Sequence, residues 1–185
     1  MKIHGTAKGG ALSNKDFGVA FGGNGAGAEL IWQQLETGEE EGLSSGDVVR
    51  AGELFTTGHV VIDSIPTKFV FNLRISGTPT GIATLNLIDS SDTVKATFPL
   101  ESTGLPLEVG DLTDSFVSHN FVNDSNTFPI LNGYRVVFYY TGGQYFRIQL
   151  CSSCAESGTK ETIYISSWSN HPAKVCTMKV YGTPA

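Results

Sequence analysis

Apolar and polar residues alternate with period two along most of the chain. In residues 69–75, Phe69, Phe71, Leu73 and Ile75 fall on one side, and Val70, Asn72 and Arg74 on the other. In residues 82–88, Ala83, Leu85 and Leu87 alternate with Ile82, Thr84, Asn86 and Ile88. Such alternation marks strands with one buried face. The connection Gly77-Thr78-Pro79-Thr80-Gly81 is turn chemistry, so the pair is expected to form an antiparallel hairpin. The pattern recurs from residue 51 onward in AGELFTT, HVVIDSI, KFVFNLRI, IATLNLI, VKATFPL, SFVSHNF, YRVVFYY, QYFRIQL, TIYISSW and CTMKVYG. Short strands at even spacing, with no amphipathic helix, predict an all-β sandwich or barrel. Its expected core includes Phe55, Val61, Ile65, Phe69, Phe71, Leu73, Phe116, Phe138, Ile165 and Val180.

Residues 1–28 break this pattern. They are rich in glycine, and GGNGAGA is flexible linker chemistry. Yet Phe17, Val19 and Phe21 alternate as a strand would. Two readings stand for this segment: a disordered tail, or an arm that orders only against a neighbouring subunit. Residues 29–185 are expected to form one domain behind it. Within them, Glu36, Glu39, Glu40 and Glu41 make an acidic run that reads as a solvated loop or short helical turn, with cation binding the minority view.

Composition narrows the classes. Charged residues are 16% of the 185, below the roughly 25% of average soluble proteins. The net charge is -6, and the 12 Lys and Arg are scattered singly. Nucleic-acid binding needs clustered cations to displace counterions from phosphates, so it is excluded as an expectation. No apolar stretch reaches the roughly 18 residues of a membrane span, and the first residues show no signal-peptide core.

Candidate chemistry is sparse. Cys151 and Cys154 have the C-x₂-C spacing, and His171 and Cys176 follow. Three readings stay open: a disulfide from Cys176 to Cys151 or Cys154, inert thiols, or a tetrahedral zinc site using all four residues. Asp89, Asp92, Asp111, Asp114 and Asp124 lie in turns, where a structural calcium is the alternative to plain turn formation. No nucleophile-elbow motif and no evident carboxylate pair is present, so no catalytic residue is assigned and no cofactor is expected. Trp32, Trp168, Tyr139 and Tyr145 are candidates for stacking on sugar rings.

The order of GELFTTG, ISGTPTGIATLNLIDSSD, LNGYRVVFYYTGG and MKVYGTPA resembles the jelly-roll β-sandwich modules of phage and archaeal virus particle proteins and of extracellular anchored proteins. The opening MKIHGTAKGGALSNKDFGVAFGG is also similar to the start of small proteins from marine archaeal and viral genomes. The resemblance runs from about residue 52 onward and rests on turn motifs, which specify fold better than activity. It implies an antiparallel jelly roll with a Gly-rich N-terminal arm. The implied role is a non-enzymatic virion protein (capsid, decoration or fibre) that binds copies of itself or other particle proteins, in a virion or on an extracellular surface. The alternative is a module that binds surface glycans.

Overall fold

The computed structural model describes residues 28–152, 154 and 157–185, which form two antiparallel sheets packed face to face. In chain order the strands are β1 (Glu29–Gln34), β2 (Glu39–Leu43), β3 (Arg50–Phe55), β4 (Ile65–Ile75), β5 (Ile82–Ile88), β6 (Val94–Phe98) and β7 (Leu107–Glu108). There follow β8 (Val117–Val122), β9 (Arg135–Tyr140), β10 (Phe146–Cys151), β11 (Thr159–Tyr164), β12 (Trp168–His171), β13 (Val175–Cys176) and β14 (Met178–Thr183). Sheet A joins β1, β14, β4, β10 and β13 in that order, with β2 on β10 and β8 on β4. Sheet B runs β12-β11-β3-β9-β5-β6, with β7 also on β5.

The central pairings are nested. β2 pairs with β10, β3 with β9, β4 with β8 and β5 with β6. Outside this nest, β1 lies along β14 and β11 along β3. The inward residues of each strand fill the space between the sheets, as period-two alternation requires. Phe138 of sheet B sits at the centre, with Phe71, Phe121 and Phe146 of sheet A edge-on to it at 5.0, 5.1 and 5.2 Å. Such edge-to-face packing adds to plain area burial because ring edges are positive and ring faces negative.

The structure corrects three expectations. Residues 69–75 and 82–88 are strands with the expected facing, but they are not a hairpin: β4 belongs to sheet A and β5 to sheet B. Each already has better-placed neighbours, β8 and β14 for β4, β9 and β6 for β5. Residues 77–81 therefore cross between the sheets. Gly77 and Gly81 take φ values of 85° and 114°, which glycine adopts without strain. The Tyr140 hydroxyl donates to Thr80 O (3.0 Å), and Thr78 N donates to Gln144 Oε1 (2.9 Å).

Second, His59-Val60-Val61-Ile62-Asp63-Ser64 forms successive turns instead of a strand, closed by Ile62 N to His59 O and Ser64 N to Val61 O. Third, most of the acidic run is strand β2, and Glu40 explains why. It lies between two arginines, accepting from Arg74 at 2.6 Å and from Arg147 at 2.5 Å. Opposite charges on the adjacent strand β10 (Arg147) and on β4 beyond it (Arg74) hold the acidic strand in the sheet. Of the expected core, Ile165 is exposed, and Phe116 and Ile65 are half-buried. Phe116 instead lies beneath the Arg74 guanidinium at 5.2 Å. The proposed arm residues Phe17, Val19 and Phe21 lie outside the described residues. No helix among the described residues is long and apolar enough to cross a membrane.

Candidate functional site

Strand register lines up chemistry on the outer face of sheet B. Tyr164 is opposite both Trp168 and Arg50, Arg50 is opposite Tyr139, and Tyr139 is opposite Thr84. One row of side chains thus crosses five strands. The Arg50 guanidinium lies 5.0 Å from the Tyr164 ring and 5.4 Å from the Tyr139 ring. Trp168 packs on Tyr164 at 5.2 Å, takes the Arg135 guanidinium at 4.5 Å, and donates from Nε1 to Asp92 Oδ1 at 2.6 Å. Beside this row is a pocket lined by Arg50, Asn86, Ile88, Asp92, Val94, Val137 and Tyr139. The Tyr139 ring, a forked cation, an amide and a carboxylate around one hollow, with the Tyr164 and Trp168 rings beside it, can stack on a ring-shaped ligand and bond its hydroxyls.

The four stacking candidates therefore separate. Trp168 and Tyr139 belong to this face. Tyr145 is exposed on sheet A, against Arg147 at 5.2 Å. Trp32 is 8% exposed and sits edge-on to His59 and Phe55, so it fills core and presents no ring to a sugar. Arg50, Arg135 and Tyr164 were not singled out from the sequence. Arg135 and Tyr164 fall on the outward phase of their alternating runs and Arg50 lies just before one, but nothing local reveals which strands lie side by side.

A second cluster lies between the sheets. Glu53 and Glu161 face each other across β3 and β11 and are both wholly buried. Glu53 accepts from the Thr159 hydroxyl and from Cys176 N at 2.8 Å. Burial nonetheless pushes its carboxyl up to about 8. Glu161 Oε2 meets His171 Nδ1 at 2.7 Å, whereas its Oε1 finds no N–H or O–H donor among the described residues. What adjoins Glu161 is the carboxyl of Glu41, pushed up to about 7 first by burial and then by the Glu161 charge. Two carboxyls in contact form a hydrogen bond only when one is protonated. The raised Glu41 carboxyl is the one that keeps its proton, up to about 7. The sequence carried a signal for this cluster that went unused: single acids inside apolar strands, in GELF and KETIY.

The cysteines depart from every arrangement expected. Cys151 and Cys154 are bridged to each other, not to Cys176. Their Cα atoms lie 5.7 Å apart, within disulfide range. Cys176 is free and buried, with Glu53 beside it. His171 is engaged by Glu161. The four residues read as one zinc site are thus divided between two places. Glu36, between β1 and β2, joins the cysteine pair instead: its Oε2 lies 3.1 Å from Cys154 Sγ and 3.8 Å from Cys151 Sγ.

The Asp89 carboxylate closes its own turn. Asp89 Oδ1 accepts from Ser91 N at 2.9 Å and Thr93 N at 3.0 Å, and its other oxygen meets Lys95 at 2.9 Å. These donors, Ser91 foremost, hold its carboxyl well below the usual range. No protein-family model matches the chain, and neither a curated protein nor a solved structure matches it.

Proposed function

We propose that the chain is a non-enzymatic structural subunit of a virus particle, a capsid, decoration or fibre protein, built on a jelly roll. The nested pairing carries this reading. In a jelly roll, a long two-stranded ribbon is rolled so that first pairs with last, second with second-last, and the middle two with each other. β2·β10, β3·β9, β4·β8 and β5·β6 follow that rule, with the four pairs giving sheets β2-β10-β4-β8 and β3-β9-β5-β6. Jelly rolls serve as both capsid and lectin domains, so the fold favours assembly or recognition over catalysis. The buried carboxyls agree with this: Glu53 and Glu161 are sealed from solvent. The test is the native mass of the purified full chain by light scattering, with electron microscopy of the same sample. A defined multi-subunit particle or fibre is expected. A monomer at all accessible concentrations would remove the reading.

The row Trp168, Tyr164, Arg50, Tyr139 favours a second reading, recognition of a surface glycan through sheet B. Retention on polysaccharide columns should be lost in Trp168→Ala while the melting temperature holds. Equal retention of the two proteins would discard the face as a saccharide site.

A further inference from the structure

We propose that Cys151, Cys154 and Glu36 form a redox-gated site for a soft divalent cation such as Zn²⁺, closed while the disulfide is intact and open once it is reduced. The inference does not depend on the particle or glycan reading. Its ground is a mismatch in the oxidised state. The Glu36 carboxylate is held against two sulfurs that carry no proton to donate, with Cys154 Sγ at 3.1 Å and Cys151 Sγ at 3.8 Å. Its position is fixed by its own backbone: Glu36 N donates to Gln34 Oε1 at 2.9 Å, and Glu36 O accepts from the Thr177 hydroxyl at 2.8 Å. Gly38 N donates to Leu150 O at 3.0 Å, which ties the same segment to the strand that ends in Cys151. The backbone that carries the carboxylate is therefore held in place when the bridge opens.

The donor atoms lie within 4.8 Å of one another. A tetrahedron around a metal with bonds of roughly 2.0 to 2.3 Å has edges of about 3.3 to 3.8 Å, which the Glu36 Oε2–sulfur distances of 3.1 and 3.8 Å bracket and which the two sulfurs reach once the bridge opens and their side chains rotate. A buried Cys151, a half-buried Cys154 and an exposed Glu36 leave the solvent side open for a water as fourth ligand. The step balances as follows. An external dithiol gives two electrons and two protons to the Cys151–Cys154 bond and leaves as its own disulfide, so that two thiols remain. The cation then displaces both thiol protons into solvent and binds two thiolates, the Glu36 carboxylate and the water. Soft thiolates select Zn²⁺ over Mg²⁺ or Ca²⁺. Cys176 and His171 have no part in it.

The full chain, reduced with dithiothreitol and desalted without oxygen, is titrated with Co²⁺ and then with Zn²⁺. One equivalent of Co²⁺ should give thiolate charge-transfer bands and the strong visible bands of a tetrahedral centre, and Zn²⁺ should bleach them. The untreated chain should show neither. Cys154→Ser should abolish the bands, Glu36→Gln should weaken Co²⁺ binding by about tenfold or more, and Cys176→Ala should keep it. Circular dichroism checks that each variant is folded, and Cys151→Ser replaces Cys154→Ser if that one is not. Bands in the untreated chain, bands without thiolate character, or undiminished affinity in Glu36→Gln would each overturn the proposal.

Discussion

Phe71 and Asn72 are neighbours in β4 with opposite duties. Phe71 is fully buried against Phe138, so truncation to alanine leaves a cavity and should cost about 3 to 5 kcal/mol. From its alternation alone, Asn72 reads as a freely exchangeable surface residue. It is in fact half-buried, donating to Gln149 Oε1 at 2.8 Å and accepting from Ser118 Oγ at 2.6 Å. Asn72→Ala should therefore cost about 1 kcal/mol, the net worth of such bonds. Chemical denaturation of both variants measures the two costs, and equal losses would mean the facing of β4 is misassigned. Cys176 permits a sharper check. Thiol titration of the denatured, unreduced chain should find one thiol, and peptide mapping should place it at Cys176. In the folded chain that thiol should react slowly: it is buried, and burial together with the Glu53 charge raises its pKa well above normal. Rapid labelling under native conditions would contradict this.

Among the elements, β2, β3 and β11 together make stability depend on pH. Glu41 and Glu53 hold their protons up to about 7 and about 8 in the fold, whereas unfolded glutamates release theirs near 4.3. Over that interval the folded chain binds more protons than the unfolded one, so stability falls as pH rises. The contribution is complete below about pH 4 and is lost as pH climbs through 7 and 8. Melting temperatures should decline from about pH 5 to about pH 8.5, and Glu53→Gln should flatten that decline. Parallel curves for wild type and variant would mean that Glu53 is ionised in the fold. The same strands show where sequence reading stops. Alternation located β3 through β6 and β8 through β11, because facing is a local property. It missed β2, whose acidic side chains read as loop until Arg74 and Arg147 are known to flank Glu40. It joined β4 to β5 because turn residues at 77–81 do not say whether the chain returns beside itself or crosses to the opposite layer. The Glu36–Cys151–Cys154 group was equally hidden, because its members come from segments that only the β2·β10 pairing brings together.

For the molecule as a whole, the N-terminal arm of the particle reading is tested at residues 1–21. If they supply a strand to a neighbour, their deletion should leave the melting temperature nearly unchanged while the native mass falls to that of smaller species. Unaltered assembly of the shortened chain would show that the contacts lie elsewhere on the sandwich. The alignment of β1 along β14 has its own consequence during synthesis. Trp32 cannot meet Val180, nor Gln34 meet Met178, until the residues of β14 have left the ribosome. At about 5 to 20 residues per second, β1 waits roughly 7 to 30 s without its partner. During that time a nascent chain carries an open sheet edge beside other nascent chains on the same message, the situation in which strands are exchanged between copies. Slowing translation late in the message should therefore raise the fraction of intertwined dimers, whereas slowing it before β1 is made should not.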